Sequence, residues 1–321
     1  MPAADKPAGS LDELGEFALI EQITADLETS AAVRLGPGDD AAVIRPDGDV
    51  VVSTDTLVAG VHFRTDWSLA HEVGQRAVAQ SVADLEAMGA RPVALVAAFT
   101  APGDLPAAWA KQCAQGMRLE AARSRSVLVG GDVTSGRDIT ITVTVLGDLQ
   151  GRPPVTRGGA RPGDVVAVCG RLGWSAAGLA VLRRGFRSPR AVVEAYKVPE
   201  VPYGQGVIAA TAGATAMIDI SDGLLADLGH VARASGVRVD LERERFTVPE
   251  PIQAVAAATG ADPWSFLLGG GEDHGLVATF PGGVHLPADW HRIGGIAEGE
   301  PEVLIDGGLW SGESGWSHFG R

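Results

Sequence analysis

Apolar residues recur at Leu14, Phe17, Ala18, Ile20, Ile23 and Leu27, and this stripe predicts an amphipathic helix from Glu13 to Leu27. A loop rich in glycine and aspartate follows. Val50 to Thr54 reads as a buried strand, and a loop through Val58 to Asp66 leads to Ser68, the N-cap of a helix that runs to Met88 and stops at Gly89 and Pro92. Pro92 to Phe99 predicts a second strand, Ala107 to Arg123 a helix, and Val127 to Val129 a third strand ending at Gly130. Ile139, Ile141, Val143 and Val145 alternate with threonines, the period of a strand with one buried face, which closes the first half at Leu146.

The stretch from Gly147 to Gly163 is rich in Gly, Pro and Arg and predicts a domain boundary. The second half restarts with a strand at Asp164 to Val168 and a helix from about Ser175 to Arg184. Met217 to Ile220 is a short strand feeding a helix from about Asp222 to Ala234, followed by strand Val237 to Leu241. Mixed strands and helices in both halves imply α/β or α+β domains. With 321 residues, two domains are expected, residues 13–148 and 149–321, after a disordered tail over residues 1–12.

The tail lacks the apolar core of a signal peptide, and no apolar run is long enough to span a bilayer, so no membrane partner is expected. The two cysteines, Cys113 and Cys169, match no zinc or redox spacing and read as reduced core residues, which points to a cytoplasmic location. The 26 basic and 40 acidic side chains give a formal charge of −14. Such a chain is unsuited to neutralising nucleic-acid phosphates. A polyanionic ligand needs metal ions to approach it.

Candidate chemistry lies in five short aspartate clusters: Gly38-Asp39-Asp40, Ser53-Thr54-Asp55, Ser81 to Asp84, Gly130-Gly131-Asp132 and Asp219-Ile220-Ser221-Asp222-Gly223. Mg²⁺ takes one or two carboxylates together with substrate phosphates. Asp84 shares a helical register with Ala77, Ser81 and Met88, so its carboxylate sits on a largely apolar face and needs a partner such as a cation or a capped loop. Asp55 and Asp132 close predicted strands, and Asp39 and Asp40 lie in a Gly-Pro loop, all positions where an aspartate often only forms a turn. Singly the turn or cap is the commoner role; several acids at strand ends together point to carboxylates converging on a metal site. At Asp219 to Gly223 a strand feeds a helix, where backbone N–H groups favour phosphate and an aspartate also serves as N-cap.

Familiar nucleotide motifs fail. A Walker A loop needs a lysine after glycine, and Lys6, Lys111 and Lys197 do not follow one. The Gly-x-Gly pairs starting at Gly36, Gly204 and Gly269 lack the third glycine of the dinucleotide fingerprint. The aspartate clusters, however, occur in a telling order with Gly60, His62, Met88-Gly89-Ala90, Gly270-Gly271-Glu272-Asp273 and the terminal Gly315-Trp316-Ser317-His318-Phe319. Over Leu14 to Phe319 the chain resembles the thiamine-monophosphate kinases, of the superfamily that includes aminoimidazole ribonucleotide synthetase and selenophosphate synthetase.

The resemblance implies an aminoimidazole ribonucleotide synthetase-like fold of two α/β domains, with N-terminal domains pairing into a dimeric β-barrel. It implies ATP- and Mg²⁺-dependent phosphorylation of thiamine monophosphate to thiamine diphosphate by a homodimer. Asp40, Ser53, Thr54, Asp55, Asp84, Asp132, Asp219 and Asp222 match Mg²⁺-binding places; Gly131, Asp132, Arg157 and Ser221 match ATP contacts; His62, Glu272 and Trp316 match substrate contacts. His274 stands where many relatives have tyrosine.

The implied chemistry suits the residues. A phosphate monoester has its second pKa near about 6 and is mostly dianionic at neutral pH, so no general base is needed. Unit like charges about 4 Å apart repel by roughly 4 kcal/mol even at an effective dielectric of 20, so the acids' task is to recruit cations. Without the resemblance, Arg157 reads equally as a solvated linker arginine, Trp316 as tail packing and His62 as a surface residue. Competing functions are a cyclo-ligase of the same superfamily and a non-catalytic nucleotide- or metal-binding regulator.

Overall fold

The computed structural model describes residues 9–25 and 27–316; most of the expected tail, residues 1–8, lies outside them, as do Ser317, His318 and Phe319 of the terminal motif. Contacts divide the chain into two compact units, Met1–Val82 with Pro92–Gln150, and Ala83–Arg91 with Gly151–Arg321.

In the first unit, the last residues assigned to the tail are folded. Ser10 caps a one-turn helix α1 (Leu11–Leu14), and the N–H groups of Leu11 and Asp12 donate to the carbonyls of Leu105 and Gly103. Gly15, at φ 80°, ends α1 and opens α2 (Glu16–Thr24), so the single expected helix is two. A hairpin of β1 (Val33–Leu35) and β2 (Val43–Ile44) follows, with the Asp39-Asp40 loop at its tip. Then come β3 (Val50–Val58), α3 (Ala70–Ala87), β4 (Arg91–Ala101), α4 (Ala107–Arg123), β5 (Val127–Ser135) and β6 (Thr140–Asp148).

The strands β3, β6, β4 and β5 form an open four-stranded sheet in that order. Val93, Ala94, Val127 and Val129 pack with Val33, Ala42 and Ile44 of the hairpin region. Helix α4 buries Ala110, Cys113, Ala114, Met117 and Ala121, one face at helical spacing.

Two strand pairs run further than expected. The β3–β6 ladder extends from Val50↔Asp148 to Val58↔Thr140, and β4–β5 continues to Ala101↔Ser135. Asp55 and Asp132 are therefore mid-strand, because remote partners keep pairing beyond the hydrophobic runs. Ser and Thr fill the half-exposed strand positions that hydrophobicity alone does not mark.

The second unit contains β7 (Val165–Cys169), α5 (Trp174–Arg183), α6 (Arg190–Lys197), α7 (Gln205–Thr211), β8 (Ala216–Asp219), α8 (Leu224–Ser235), β9 (Arg238–Leu241), α9 (Glu250–Thr259), α10 (Pro263–Gly269), β10 (Leu276–Phe280), β11 (His291–Ala297), β12 (Val303–Ile305) and β13 (Gly308–Leu309). Its seven-stranded sheet has the order β13-β12-β9-β11-β7-β10-β8, antiparallel apart from the β9–β12 pair. Every residue of β10 is buried, as expected for a strand covered on both faces. Ala167, Cys169, Met217, Leu276, Ala278, Phe280 and Trp290 form the core against Ala87 and Ala209. Glu86, at the end of α3, accepts the N–H groups of Gly204 and Gly206 at 2.7 and 2.8 Å and so caps α7; burial pushes its carboxyl up to about 7 against those two bonds. Both cysteines are free and buried.

Candidate functional site

In the second unit, β8 delivers Asp219 to the end of a buried strand, and the chain turns through Ile220 to Gly223 into α8. Two other segments lie against this turn, backbone to backbone. The Glu272 N–H donates to the Ser221 carbonyl at 2.7 Å, His274 N–H to Ile220 at 2.9 Å, and Ile220 N–H to Gly275 at 2.8 Å. From the C-terminal segment, Trp316 N–H donates to the Asp222 carbonyl at 3.0 Å, and Ser314 accepts from Ala226 at 3.1 Å. Such contact requires glycine. A Cβ on Gly271 would fall 2.4 Å from the Ser221 oxygen, and one on Gly269 would fall 2.2 Å from the Glu313 oxygen. Asp219, Ser221, Asp222, Glu272 and Trp316, far apart in sequence, are thus gathered on three interlocked loops.

Asp227 completes the turn, and the sequence reading missed it. From the first turn of α8 its Oδ2 accepts the N–H groups of Ser221, Asp222 and Gly223 at 3.1, 3.1 and 3.0 Å. The N–H groups expected to favour a phosphate are therefore already engaged by a carboxylate of the helix that follows them. Burial, and then the negative charge of Asp219, pushes the Asp227 carboxyl up to about 7. Ligand atoms of Asp222, Asp227 and His230 lie within 4.8 Å of one another, a set able to hold a cation beside Asp222. The spacing Asp222-Gly223-x-x-x-Asp227, an acid in the first turn after a helix-opening glycine, was the available clue.

Glu272 and His274 both have positive φ, 68° and 51°, a backbone region that non-glycine residues seldom occupy. Between them Asp273 points the other way. It is buried and accepts the N–H groups of Gly173 and Ser175, the latter at 2.8 Å, which caps α5. Burial pushes its carboxyl up to about 7 against those hydrogen bonds. His274 is also buried, with Nδ1 3.2 Å from Asp219 Oδ2 and Nε2 3.8 Å from Glu272 Oε2. Burial lowers the affinity of its ring for a proton, but the two carboxylates outweigh burial and hold the imidazole up to about 10. The residue noted only as a departure in sequence thus touches a candidate metal ligand.

Arg157 is placed by its neighbours. Ser235, at the end of α8, donates to the Arg157 carbonyl at 2.9 Å and accepts the Ala160 N–H at 3.1 Å. A Cβ on Gly159 would lie 1.8 Å from the Thr215 oxygen, so this Arg-Gly-Gly segment runs tight against its surroundings. Arg157 lies near His230, whose proton affinity is lowered by partial burial and then by Arg233 and Arg157. Asp84 is half-buried on the last turns of α3, between the fully buried Ala83 and Leu85.

In the first unit, Asp40 is exposed in the hairpin loop, where its N–H donates to Asp39 Oδ1 at 2.9 Å. Ser53 and Asp55 share one face of β3, and Thr54 faces the other way, with its hydroxyl 3.0 Å from that of Thr144. The side chains of these three consecutive residues therefore do not gather at one point. His62 Nδ1 accepts the Val58 N–H at 3.0 Å, which leaves the ring proton on Nε2, a donor suited to a phosphate oxygen. Gly131 and Asp132 follow a bulge at which the pairing shifts from Leu95↔Leu128 to Val96↔Gly130. A Cβ on Gly131 would sit 2.1 Å from the Ala97 oxygen. Beside them lies an apolar cavity of about 70 Å³ walled by Ile20, Phe99 and Met117, too small and too apolar for a triphosphate. Asp55 and Asp132 stand on the two outer strands of the sheet, β3 and β5.

Every candidate ligand named in the sequence offers oxygen alone, the donor set of a hard divalent cation such as Mg²⁺. No helix among the described residues is long and apolar enough to cross a membrane.

Comparison with known proteins adds a family context. Residues 38–149 match the AIR synthase related protein, N-terminal domain, and residues 161–282 match the AIR synthase related protein, C-terminal domain. The thiamine-monophosphate kinase of Mycobacterium tuberculosis is 50% identical over 314 residues, 97% of this chain and 94% of that protein. Its counterpart from Corynebacterium glutamicum is 40% identical over 99% of this chain and 97% of its own length. Among solved structures, AaThiL complexed with AMPPCP and TMP, the enzyme from Aquifex aeolicus, superposes with a TM-score of 0.79 at 30% identity, covering 96% of this chain and 98% of that one.

Proposed function

This chain belongs to the thiamine-monophosphate kinase family of AIR synthase related proteins, and we infer that it transfers the γ-phosphoryl group of ATP to thiamine monophosphate, yielding thiamine diphosphate and ADP. The observation that carries this reading is the interlocking of three loops in the second unit, which gathers Asp219, Ser221, Asp222, Glu272 and Trp316. These are residues matched to metal, nucleotide and substrate. A chance set of surface acids has no reason to be joined by mutual backbone hydrogen bonds and obligatory glycines.

In the transfer, an oxygen of the acceptor phosphate attacks the γ-phosphorus, and the bond to the β,γ-bridging oxygen breaks. Its electron pair leaves with ADP. The acceptor is already a dianion near neutral pH, with a second pKa near about 6, so no proton need be removed. The protein's tasks are in-line positioning and relief of charge repulsion. Mg²⁺, when bound, supplies the positive charge that lets two polyanions approach. Several such ions would be held, in the first unit by Asp40, Ser53, Asp55 and Asp132 and in the second by Asp84, Asp219 and Asp222, and Thr54 would contribute through its main chain, since its hydroxyl is turned to Thr144. Arg157 and Ser221, with Gly131, contact ATP phosphates. The His62 Nε2–H donates to the acceptor phosphate, Glu272 accepts from the aminopyrimidine, and Trp316, half-exposed, stacks on the organic end.

We further propose a homodimer in which the open sheets of two first units join into a barrel. Val50 and Val52 on β3 are 43% and 59% exposed in the single chain, more apolar surface than a solvated outer strand needs. A nucleotide-dependent biosynthetic enzyme of this kind acts in the cytoplasm. The cyclo-ligase and regulator alternatives gain no support from the relatives' names. Steady-state release of ADP that depends on thiamine monophosphate, and that does not occur with unphosphorylated thiamine, is the expected result. ADP release independent of the acceptor would refute the assignment.

A further inference from the structure

We propose that His274 is a positioning residue that sets the Glu272 carboxylate for the amino group of the substrate's pyrimidine ring, an inference that rests on the kinase reading above. Its imidazole stands between two carboxylates of different duty. Nδ1 is within hydrogen-bond reach of Asp219, 3.2 Å, on the metal side. Nε2 faces Glu272 on the substrate side at 3.8 Å and has no hydrogen-bond partner among the described residues. A buried polar nitrogen without a partner is costly, and it is tolerated where a rearrangement or ligand completes it.

The backbone makes this placement deliberate. Glu272 and His274 both adopt positive φ, and their N–H groups are pinned to the carbonyls of Ser221 and Ile220. Asp273 is anchored on the opposite side, to the start of α5. Strain held at two alternate residues turns their side chains toward each other, the pattern expected where function over-determines local conformation.

Imidazole is suited to the task because it carries nitrogen on two sides of one rigid ring. A phenol, with a single hydroxyl, reaches one carboxylate only. Glu272 is partly exposed, its side chain 36% accessible, and the rigid imidazole on its buried side narrows the rotamers open to its carboxylate. Held beside His274 Nε2, it keeps one oxygen toward the ring and the other toward the substrate's N–H.

The test compares thiamine monophosphate with the analogue in which the pyrimidine amino group is replaced by oxygen, using full-length wild type and His274→Gln. In wild type the replacement is expected to lower kcat/KM by about tenfold, the loss of one well-placed hydrogen bond to a charged acceptor. In His274→Gln the KM for thiamine monophosphate rises, the KM for ATP stays within about twofold, and the ratio between the two substrates falls to about threefold or less. An unchanged ratio, with both substrates impaired equally, reduces His274 to a structural role and overturns the proposal. Should the glutamine variant fail to fold, His274→Tyr and Glu272→Gln, alone and together, provide the same reading by calorimetric titration with thiamine monophosphate. Non-additive losses are expected, and additive losses overturn the coupling. A wild type that forms no thiamine diphosphate overturns the kinase reading itself, a failure distinct from any failure at His274.

Discussion

Asp273 offers a quantitative check on how the site is held. Its carboxylate is buried and accepts two N–H groups at the start of α5, while its neighbours in sequence are Glu272, the proposed substrate contact, and His274, 3.2 Å from Asp219. Replacing it by alanine leaves the N–H groups of Gly173 and Ser175 unsatisfied in a buried setting, at about 1–3 kcal/mol each, or about 4 kcal/mol in sum. Asparagine allows a finer measurement, because it is neutral at every pH. Burial raises the Asp273 carboxyl from 3.8 to about 7 in the folded protein. A raised folded pKa means that the group's stabilising contribution is fully present below 3.8 and is lost as the pH rises through about 7. Over that window the loss is roughly 1.4 kcal/mol per pH unit, about 4 kcal/mol in all. Urea unfolding of wild type and Asp273→Asn from pH 4 to pH 8 isolates it, since Glu86 and Asp227 titrate in both proteins and cancel. The stability advantage of wild type is expected to shrink by about that amount as the pH rises. An advantage independent of pH would falsify the assignment of Asp273 as a buried, destabilised charge.

Gly271→Ala brings a Cβ to 2.4 Å from the Ser221 carbonyl, so activity is expected to drop by at least about a hundredfold as the loops part; near wild-type turnover would show that they can separate freely. Arg157→Ala is expected to raise the KM for ATP about tenfold and leave that for thiamine monophosphate unchanged, and equal effects on both would remove Arg157 from the nucleotide phosphates. Asp84→Asn, which keeps shape and removes charge, is expected to raise the Mg²⁺ concentration needed for half-maximal turnover; identical Mg²⁺ titrations would take Asp84 out of the metal site. Val52→Arg places a charge on the exposed face of β3 and is expected to yield monomers in sedimentation, whereas an unchanged mass would place any dimer contact elsewhere.

Local rules carried some elements well and others poorly. Helix α4 was legible at both ends, Ala107 and Arg123, because its apolar spacing and its flanking residues are both written within the segment. Strand β6 was legible from its alternation. Asp55 and Asp132 were misplaced to strand ends because their ladders depend on β6 and β4, which no local window includes. The short helices α6, α7, α9 and α10 went unread, since helices of 7 to 10 residues draw their stability from packing more than from periodicity.

The order of motifs pointed to Asp219, Ser221, Asp222, Glu272 and Trp316, but not to what joins them. That depends on glycine contacts and on Asp227, whose three hydrogen bonds exist only once the turn has formed. The opposite facing of Ser53 and Thr54 follows from the two-residue period of a strand, and matching the motif as one block obscured it.

Following the ¹⁸O-labelled phosphoryl group by ³¹P NMR tests the central claim most directly. With ATP labelled by ¹⁸O on its γ-phosphoryl group, Mg²⁺ and thiamine monophosphate, the account predicts that the label appears in the terminal phosphoryl group of thiamine diphosphate, one for each ADP formed. Label recovered in inorganic phosphate with no thiamine diphosphate would contradict it.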